Sequence, residues 1–187
     1  IGVLTLGGAV TAVVGARGSS HHTNTTGSGA AGDKQQLAQA LRDQVITGAE
    51  LPAPYTSAIV DTSLGLNSID QQYHEVANVF YRVSGGGAFD DIDYRLFPTA
   101  SDAQPFSQAQ LQDLSSDSFV PSGFVLPVSC RRYPLQSEDS NSATLCAAVD
   151  GAIWIQGLSV SGTSTNDANA VALLRAGIDH LHRVQQR

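Results

Sequence analysis

The chain has 187 residues, of which 42% are hydrophobic and 14% charged, so it is long enough for one domain with a core of its own. Its 17 acidic residues outnumber 10 basic ones, and a net charge of -7 argues against a nucleic-acid partner, which would require a basic face. Because the chain contains no methionine, we expect that residues before Ile1 are missing or were removed by processing.

The first segment, IGVLTLGGAVTAVVGA followed by Arg17, is apolar and predicts a membrane helix over residues 1–17. A helix of sixteen residues spans about 24 Å, so a few more apolar residues at the front would complete a bilayer span of about 30 Å. The small residues Val14, Gly15 and Ala16 also match a signal-peptide cleavage site. We favour a retained anchor, because cleavage would remove the segment, and keep a signal peptide as the alternative.

Small residues recur along this predicted helix at a spacing of four. The two rows are Gly7, Thr11 and Gly15, and Gly8, Ala12 and Ala16. Rows of this kind let membrane helices approach closely, so they predict docking on the membrane helices of other subunits. The alternative is that glycine and alanine are simply frequent in this chain.

Residues 18–32, GSSHHTNTTGSGAAG, lack hydrophobic periodicity and predict a flexible linker.

Residues 33–187 are predicted to form one domain. Asp33 caps a helix in which Leu37, Leu41 and Val45 recur four apart, and this helix stops at Gly48. Residues 76–83, VANVFYRV, predict a strand, and the glycines at 85–87 predict the loop of a hairpin.

The second strand of that hairpin is FDDIDYRLF, in which apolar and charged residues alternate. Ile92, Tyr94 and Leu96 are predicted to be buried, while Asp91 and Asp93 lie on a solvated face. We interpret the acidic group at positions 90, 91 and 93 as this wet face rather than as a calcium loop, because the spacing of an EF-hand is absent.

The rest of the domain continues the same alternation of elements. Residues 105–114 predict a short helix, and GFVLPVSC predicts a strand that enters Cys130. Residues 145–160 predict a hairpin around Asp150-Gly151, a pair that favours a tight type I′ turn. Asn166 or Asp167 caps a last helix whose apolar face is formed by Val171, Leu174, Ile178 and Leu181.

This order of elements predicts an α+β fold, an antiparallel sheet of about five strands with helices packed on one face, preceded by a single transmembrane helix.

Cys130 and Cys146 stand at strand edges on either side of a polar loop, and we favour a disulfide between them. Two free buried thiols and a catalytic thiol are the alternatives. A disulfide also agrees with a domain outside the cytoplasm.

No nucleophile, phosphate-binding or metal motif is present in the sequence, so we expect neither an enzyme nor a cofactor or metal. The block C…C-x-x-V-D-G-A-I-W-I-Q-G and the following A-V-A-L-L-R-A-G-I-D-H-L helix resemble, over residues 124–184, small exported and membrane-anchored actinobacterial domains. The resemblance implies sensing, ligand binding or accessory attachment to membrane assemblies, and no catalytic residue.

Two functions follow as expectations. The first is a non-catalytic accessory subunit of a bacterial respiratory or cell-envelope complex, held in the cell membrane by one helix, with membrane subunits as partners and the acidic domain on the extracytoplasmic side. The alternative is a membrane-anchored extracytoplasmic sensor, which binds a small molecule, a lipid or a cell-wall fragment. The sensor predicts an apolar pocket between helix and sheet.

Overall fold

The computed structural model describes residues 26–66, 71–84, 89–112, 117–134, 142–161 and 166–187, and these contain one antiparallel sheet of seven strands. The strands are β1 (Val60–Leu66), β2 (Ala77–Val83), β3 (Phe89–Leu96), β4 (Ser118–Phe119), β5 (Val128–Pro134), β6 (Ser142–Asp150) and β7 (Ile153–Ser161). Across the sheet their order is β1-β2-β3-β7-β6-β5-β4. Two runs of consecutive strands therefore meet where β3 pairs with β7.

Helices cover both faces of the sheet. The helices are α1 (Thr26–Asp43), α2 (Ala100–Gln112) and α3 (Asn166–Gln185), with short 3-10 turns at Gly48–Glu50, Tyr55–Ser57 and Gln71–Tyr73. We call the side of the sheet that is covered by α1 and α3 the first face. There the Tyr94 hydroxyl donates to the Gly177 carbonyl at 2.9 Å. The second face lies under α2, where the Phe106 ring meets Trp154 edge-on at 5.1 Å.

The core between the first face and its two helices is filled with side chains. Its members include five fully buried side chains, those of Leu41, Tyr81, Ile155, Leu173 and Leu174. The apolar pocket that a sensor was expected to have between helix and sheet is therefore not found there in the described part of the chain. A cavity of about 430 Å³ lies instead on the outer side of α3.

The predicted disulfide joins Cys130 and Cys146, and it is confirmed. The two cysteines are directly opposite each other on β5 and β6, and both are buried on the first face. The start of α3 is fastened to the same two strands, because Asp167 pairs with Arg132 at 2.6 Å and accepts from the Thr144 hydroxyl at 2.8 Å. The disulfide thus belongs to the scaffold that holds the last helix.

Several predicted elements are confirmed in place. β6 and β7 form the hairpin expected around Asp150-Gly151, and Gly151 has the positive φ, 58°, that such a tight turn requires. The last helix buries Leu174, Ile178 and Leu181 as its periodicity predicts. The α+β class and the antiparallel sheet are also confirmed.

The predicted strand count and the predicted placement of the helices are wrong. Seven described strands replace about five, because β1 and the two-residue β4 carry no clear alternation; four of the seven β1 residues are exposed. The helices do not share one face, since Ala103 and Phe106 of α2 pack on the second face with Trp154.

Three element boundaries also differ from the prediction. α1 begins at Thr26, so residues 26–32 of the expected linker are helical. α2 begins at Ala100 rather than at residue 105, because Asp102 in its first turn accepts from the Thr99 backbone N–H at 3.1 Å and from the Thr99 hydroxyl at 2.6 Å. β5 begins at Val128, and the preceding residues that we expected in this strand include the fully exposed Val125.

None of the helices in the described ranges is both long and apolar enough to cross a bilayer. The predicted membrane helix of residues 1–17, with its rows of small residues, lies outside the described residues, as does the glycine loop at 85–87.

Candidate functional site

Charged side chains of β3 are buried on the second face, where the sequence predicted a solvated face. Asp91 and Asp93 are only 7% and 4% exposed. Alternation along the strand separates Asp91, Asp93 and Arg95 from the apolar residues correctly, but it does not reveal that this side of the sheet is covered as well. The expectation of a wet acidic face is therefore wrong.

These residues form a group that we call the second-face cluster. Its members come from β3, from β7 and from the turn before β2: Glu75, Asp91, Asp93, Arg95 and Gln156. Gln156 is directly opposite Asp93 in the pairing of β3 with β7. The cluster therefore straddles the junction between the two runs of strands.

Arg95 holds two of the carboxylates. Its Nε donates to Asp93 Oδ2 at 2.7 Å, and its Nη1 lies 3.3 Å from both oxygens of the buried Glu75. The guanidinium also lies over the Phe106 ring, 5.9 Å from the centroid. Burial raises the pKa of Asp93, although the adjacent Arg95 opposes this shift. A positive charge is thus held here by carboxylates and an aromatic ring.

Asp91 is held less well. Its Oδ1 accepts a hydrogen bond from Gln156 Nε2 at 3.2 Å, and within the described residues it makes no ion pair. Burial raises the pKa of the Asp91 carboxyl to about 7, and the nearby carboxylates of Asp93 and Asp90 add to the rise. Arg82, directly opposite on β2, works in the other direction. Asp91 therefore changes its charge near neutral pH.

Among the residues that the structure describes, two buried polar atoms on this face have no hydrogen-bond partner. They are Asp93 Oδ1 and the indole nitrogen of Trp154, whose side chain is 1% exposed and which pairs with Arg95 across the strands. Such atoms are uncommon in folded proteins, because each loses its hydration without compensation. An unpartnered acceptor and an unpartnered donor therefore lie on the same face of the sheet.

Asp90 provides a contrast on the first face. Its two oxygens accept from the Tyr55 hydroxyl at 2.9 Å and from the Val160 backbone N–H at 3.1 Å. This buried carboxylate is satisfied by the fold and therefore has a structural role. Asp93 on the second face, by contrast, has an oxygen with no hydrogen-bond partner in the part of the chain that the structure describes.

A cavity lies beside the cluster on the same face. It has a volume of about 220 Å³ and is bounded by Gln104 and Ser107 of α2 and by Ser129 and Ala147 of the strands below. Ala147 is the direct neighbour of Gln156 across β6 and β7. The second face therefore offers concave space over β5 and β6, separated from Asp93 on β3 by the intervening strand β7.

The arrangement presents hydrogen-bond acceptors and an amide group to a bound molecule. The described ranges contain no group of three or more histidine, cysteine or acidic side chains close enough to hold a metal ion. The predicted site residues Cys130 and Cys146 lie on the opposite face, away from the cluster. Sequence reasoning missed Glu75 and Gln156 altogether; the one signal was an arginine that alternates with two aspartates on a strand.

The fold and the disulfide define the class of the chain, an α+β domain with a seven-stranded antiparallel sheet among its described residues and a cross-strand disulfide. Among solved structures, it is similar to the extracellular domain of PknH from Mycobacterium tuberculosis. The TM-score is 0.51 at 10% sequence identity, and the match covers 82% of this chain and 97% of that one. At this identity the likeness shows a shared fold and nothing more. No family model and no curated protein matches the sequence.

Proposed function

We propose that the chain is an extracytoplasmic binding domain that takes a small polar molecule at the second-face cluster. The observation that carries this proposal is the buried Asp93. One of its carboxylate oxygens accepts from Arg95, while the other has no hydrogen-bond partner within the described ranges. A bound molecule that donates a hydrogen bond to this oxygen offsets the cost of burying it.

Two further observations support an exported domain. A buried disulfide persists in oxidising compartments and is rare in the cytoplasm. The similar fold of PknH is that of an extracellular domain, by its own description. Anchoring by residues 1–17 with the domain on the extracytoplasmic side stays a prediction, as does the accessory-subunit function, because both depend on residues outside the described ranges.

The site differs from the one that the sensor hypothesis expected. A pocket between helix and sheet was predicted, but the first face is filled, so the proposed site moves to the second face. The ligand is accordingly a polar molecule rather than a lipid chain, since the lining groups are carboxylates, an amide and a guanidinium.

The test is a thermal-unfolding screen of the full oxidised chain at pH 8 against small cationic, neutral and anionic molecules. A ligand at 100 times its Kd adds about 2.7 kcal/mol to the free energy of unfolding. For a chain of this size that corresponds to roughly 5–10 °C in Tm. We expect at least one molecule to give such a shift in the wild type and none in Asp93→Asn.

Asp179→Asn is the matched control, because it removes the same charge from an exposed position on α3, on the other side of the sheet. This variant should keep the full shift. If no molecule in the panel raises Tm, or if every shift persists in Asp93→Asn, the proposed site is wrong.

A further inference from the structure

We infer that the molecule bound at the second-face cluster is an organic cation, an alkylammonium or alkylguanidinium group that donates to Asp93 Oδ1 beside Asp91. This inference rests on the proposed function and names the chemical class of its ligand. It is drawn from the bonding capacity, the charge and the aromatic surroundings of the cluster.

The unpartnered atom selects a donor. Asp93 Oδ2 is occupied by Arg95 Nε, whereas Oδ1 has no partner although the residue is only 4% exposed. A carboxylate oxygen is an acceptor, so it requires an N–H or O–H group of the ligand. Donors that carry a positive charge make shorter and stronger hydrogen bonds to carboxylates than neutral donors do.

The net negative charge of the cluster favours a donor that is positively charged over a neutral one. The three carboxyl groups of the cluster stand against the guanidinium of Arg95, which is shared between Asp93 and Glu75, and against the exposed Arg82 opposite Asp91. Within the cluster, Asp91 accepts a hydrogen bond from the side-chain amide of Gln156. Burying a carboxylate without a direct ion pair is costly. Asp91 makes none within the described ranges and Arg82 opposite it is exposed, so a ligand cation next to Asp91 lowers that cost.

Arg95 shows that this face accommodates such a group. Its guanidinium is held by two carboxylates and lies over an aromatic ring, at 5.9 Å from the centroid of Phe106. Phe80 is directly opposite Asp93 on β2 and is half-buried, so a second aromatic residue neighbours Asp93 on this face. A cation gains further attraction from aromatic faces.

A metal ion fits these residues less well than an organic cation. The described ranges contain no group of three or more acidic, histidine or cysteine side chains placed to hold a metal. Calcium takes six to eight oxygen ligands, whereas this cluster offers one unpartnered oxygen with Asp91 beside it.

The inference predicts a pH dependence of binding. Asp91 is the counter-charge only when it is ionised, and its carboxyl titrates near pH 7 in the unliganded chain. Affinity should therefore rise as pH rises through 7 and then level off. The polar and charged groups that face Asp91 are Asp93 and Arg95 on its own strand, Arg82 on β2, Gln156 on β7 and, across the sheet, Asp90.

The experiment compares n-butylguanidinium with n-butylurea, its uncharged isostere, on the full oxidised chain by calorimetry. We expect butylguanidinium to bind at pH 8.5 and butylurea not to bind. At pH 6.0 the affinity for butylguanidinium should fall about tenfold, because about one Asp91 in ten is then ionised. Asp93→Asn should abolish binding, Asp91→Asn should weaken it and remove the pH dependence, and Asp179→Asn should change neither.

A second measurement on the wild type avoids the question of whether a variant folds. The pKa of Asp91, followed by carboxyl-carbon NMR, should fall by at least one unit in saturating butylguanidinium. An unchanged Asp91 titration, or equal affinity for butylurea, overturns the inference. If only neutral or anionic molecules bind, and do so through Asp93, the cation inference fails while the proposed function stands; if nothing binds, both fail.

Discussion

The close crossing of β7 and α3 leads to a sharp prediction for Gly157→Ala. A Cβ at this position would lie 2.5 Å from the Leu174 backbone nitrogen and 2.6 Å from the Ala170 carbonyl oxygen. Both neighbours are backbone atoms of the helix, so no side-chain rotation relieves the contact. Since real Cβ atoms essentially never approach within 3.0 Å, the helix must move away from the sheet by about half an ångström or more.

Movement of α3 is expensive because its inner face is fully packed. Leu173 and Leu174 have 0% of their surface exposed and Ile178 has 8%. Overpacking of a dense core costs about 1–3 kcal/mol, against an intrinsic gain of about 0.5–1 kcal/mol when glycine in a regular element becomes alanine. We therefore expect Gly157→Ala to lower the free energy of unfolding by about 1–2 kcal/mol, a large part of the total stability of a domain.

Urea unfolding followed by the fluorescence of Trp154, the single tryptophan, measures this loss, because the indole is buried in the folded chain. Gly32→Ala is the matched control: its Cβ would meet nothing within 4 Å in α1. The control should gain about 0.4–1 kcal/mol. If Gly157→Ala unfolds within 0.5 kcal/mol of the wild type, the inferred close packing of α3 on β7 is wrong.

Three other predictions concern stability. Cys130→Ala with Cys146→Ala should lower the free energy of unfolding by about 3 kcal/mol, as the loop-closure model gives for a bridge of this span, and urea midpoints of oxidised and variant chains would differ accordingly. Tyr55→Phe should cost about 2 kcal/mol in thermal unfolding, because buried Asp90 loses a charge-assisted bond; a cost under 0.5 kcal/mol would contradict this. The folded pKa of Asp91, about 7, exceeds its unfolded value near 4, so the folded state binds a proton that the unfolded state releases. This contribution to stability is complete below pH 4 and falls by up to about 1.4 kcal/mol per pH unit until pH 7; Asp91→Asn should lack the decline, and parallel wild-type and variant curves would refute it.

Local signals in the sequence predicted the parts of the fold that depend on neighbours along the chain. The β6–β7 hairpin follows from Asp150-Gly151, and the buried side of α3 follows from the spacing of Leu174, Ile178 and Leu181. β1 was missed because an edge strand in which most side chains are exposed needs no alternation of apolar residues. The start of α2 could have been found, since Thr99 and Asp102 stand three apart as capping residues do.

The candidate site could not be predicted, because it depends on contacts between distant strands. The alternation in β3 assigns Asp91 and Asp93 to one face, but their burial depends on what covers that face. Gln156 lies 65 residues from Asp91 and 63 from its direct neighbour Asp93, so their proximity depends on the pairing of β3 with β7. That pairing joins two runs of strands, and no local pattern determines which edge strands meet.

Because the proposed site lies at the junction between β3 and β7, ligand binding should stabilise the pairing of these two strands. Each run of strands is held internally by short connections, whereas the two runs are joined to each other along one ladder, Phe89–Leu96 against Ile153–Ser161. A molecule bound at the second-face cluster would contact this ladder from one side of the sheet, while α3 packs against it from the other side. Amide hydrogen exchange along the β3–β7 ladder should then slow on binding, while exchange along the β1–β2 ladder stays unchanged. The domain would thereby convert occupancy by a small molecule into resistance to separation of its two halves.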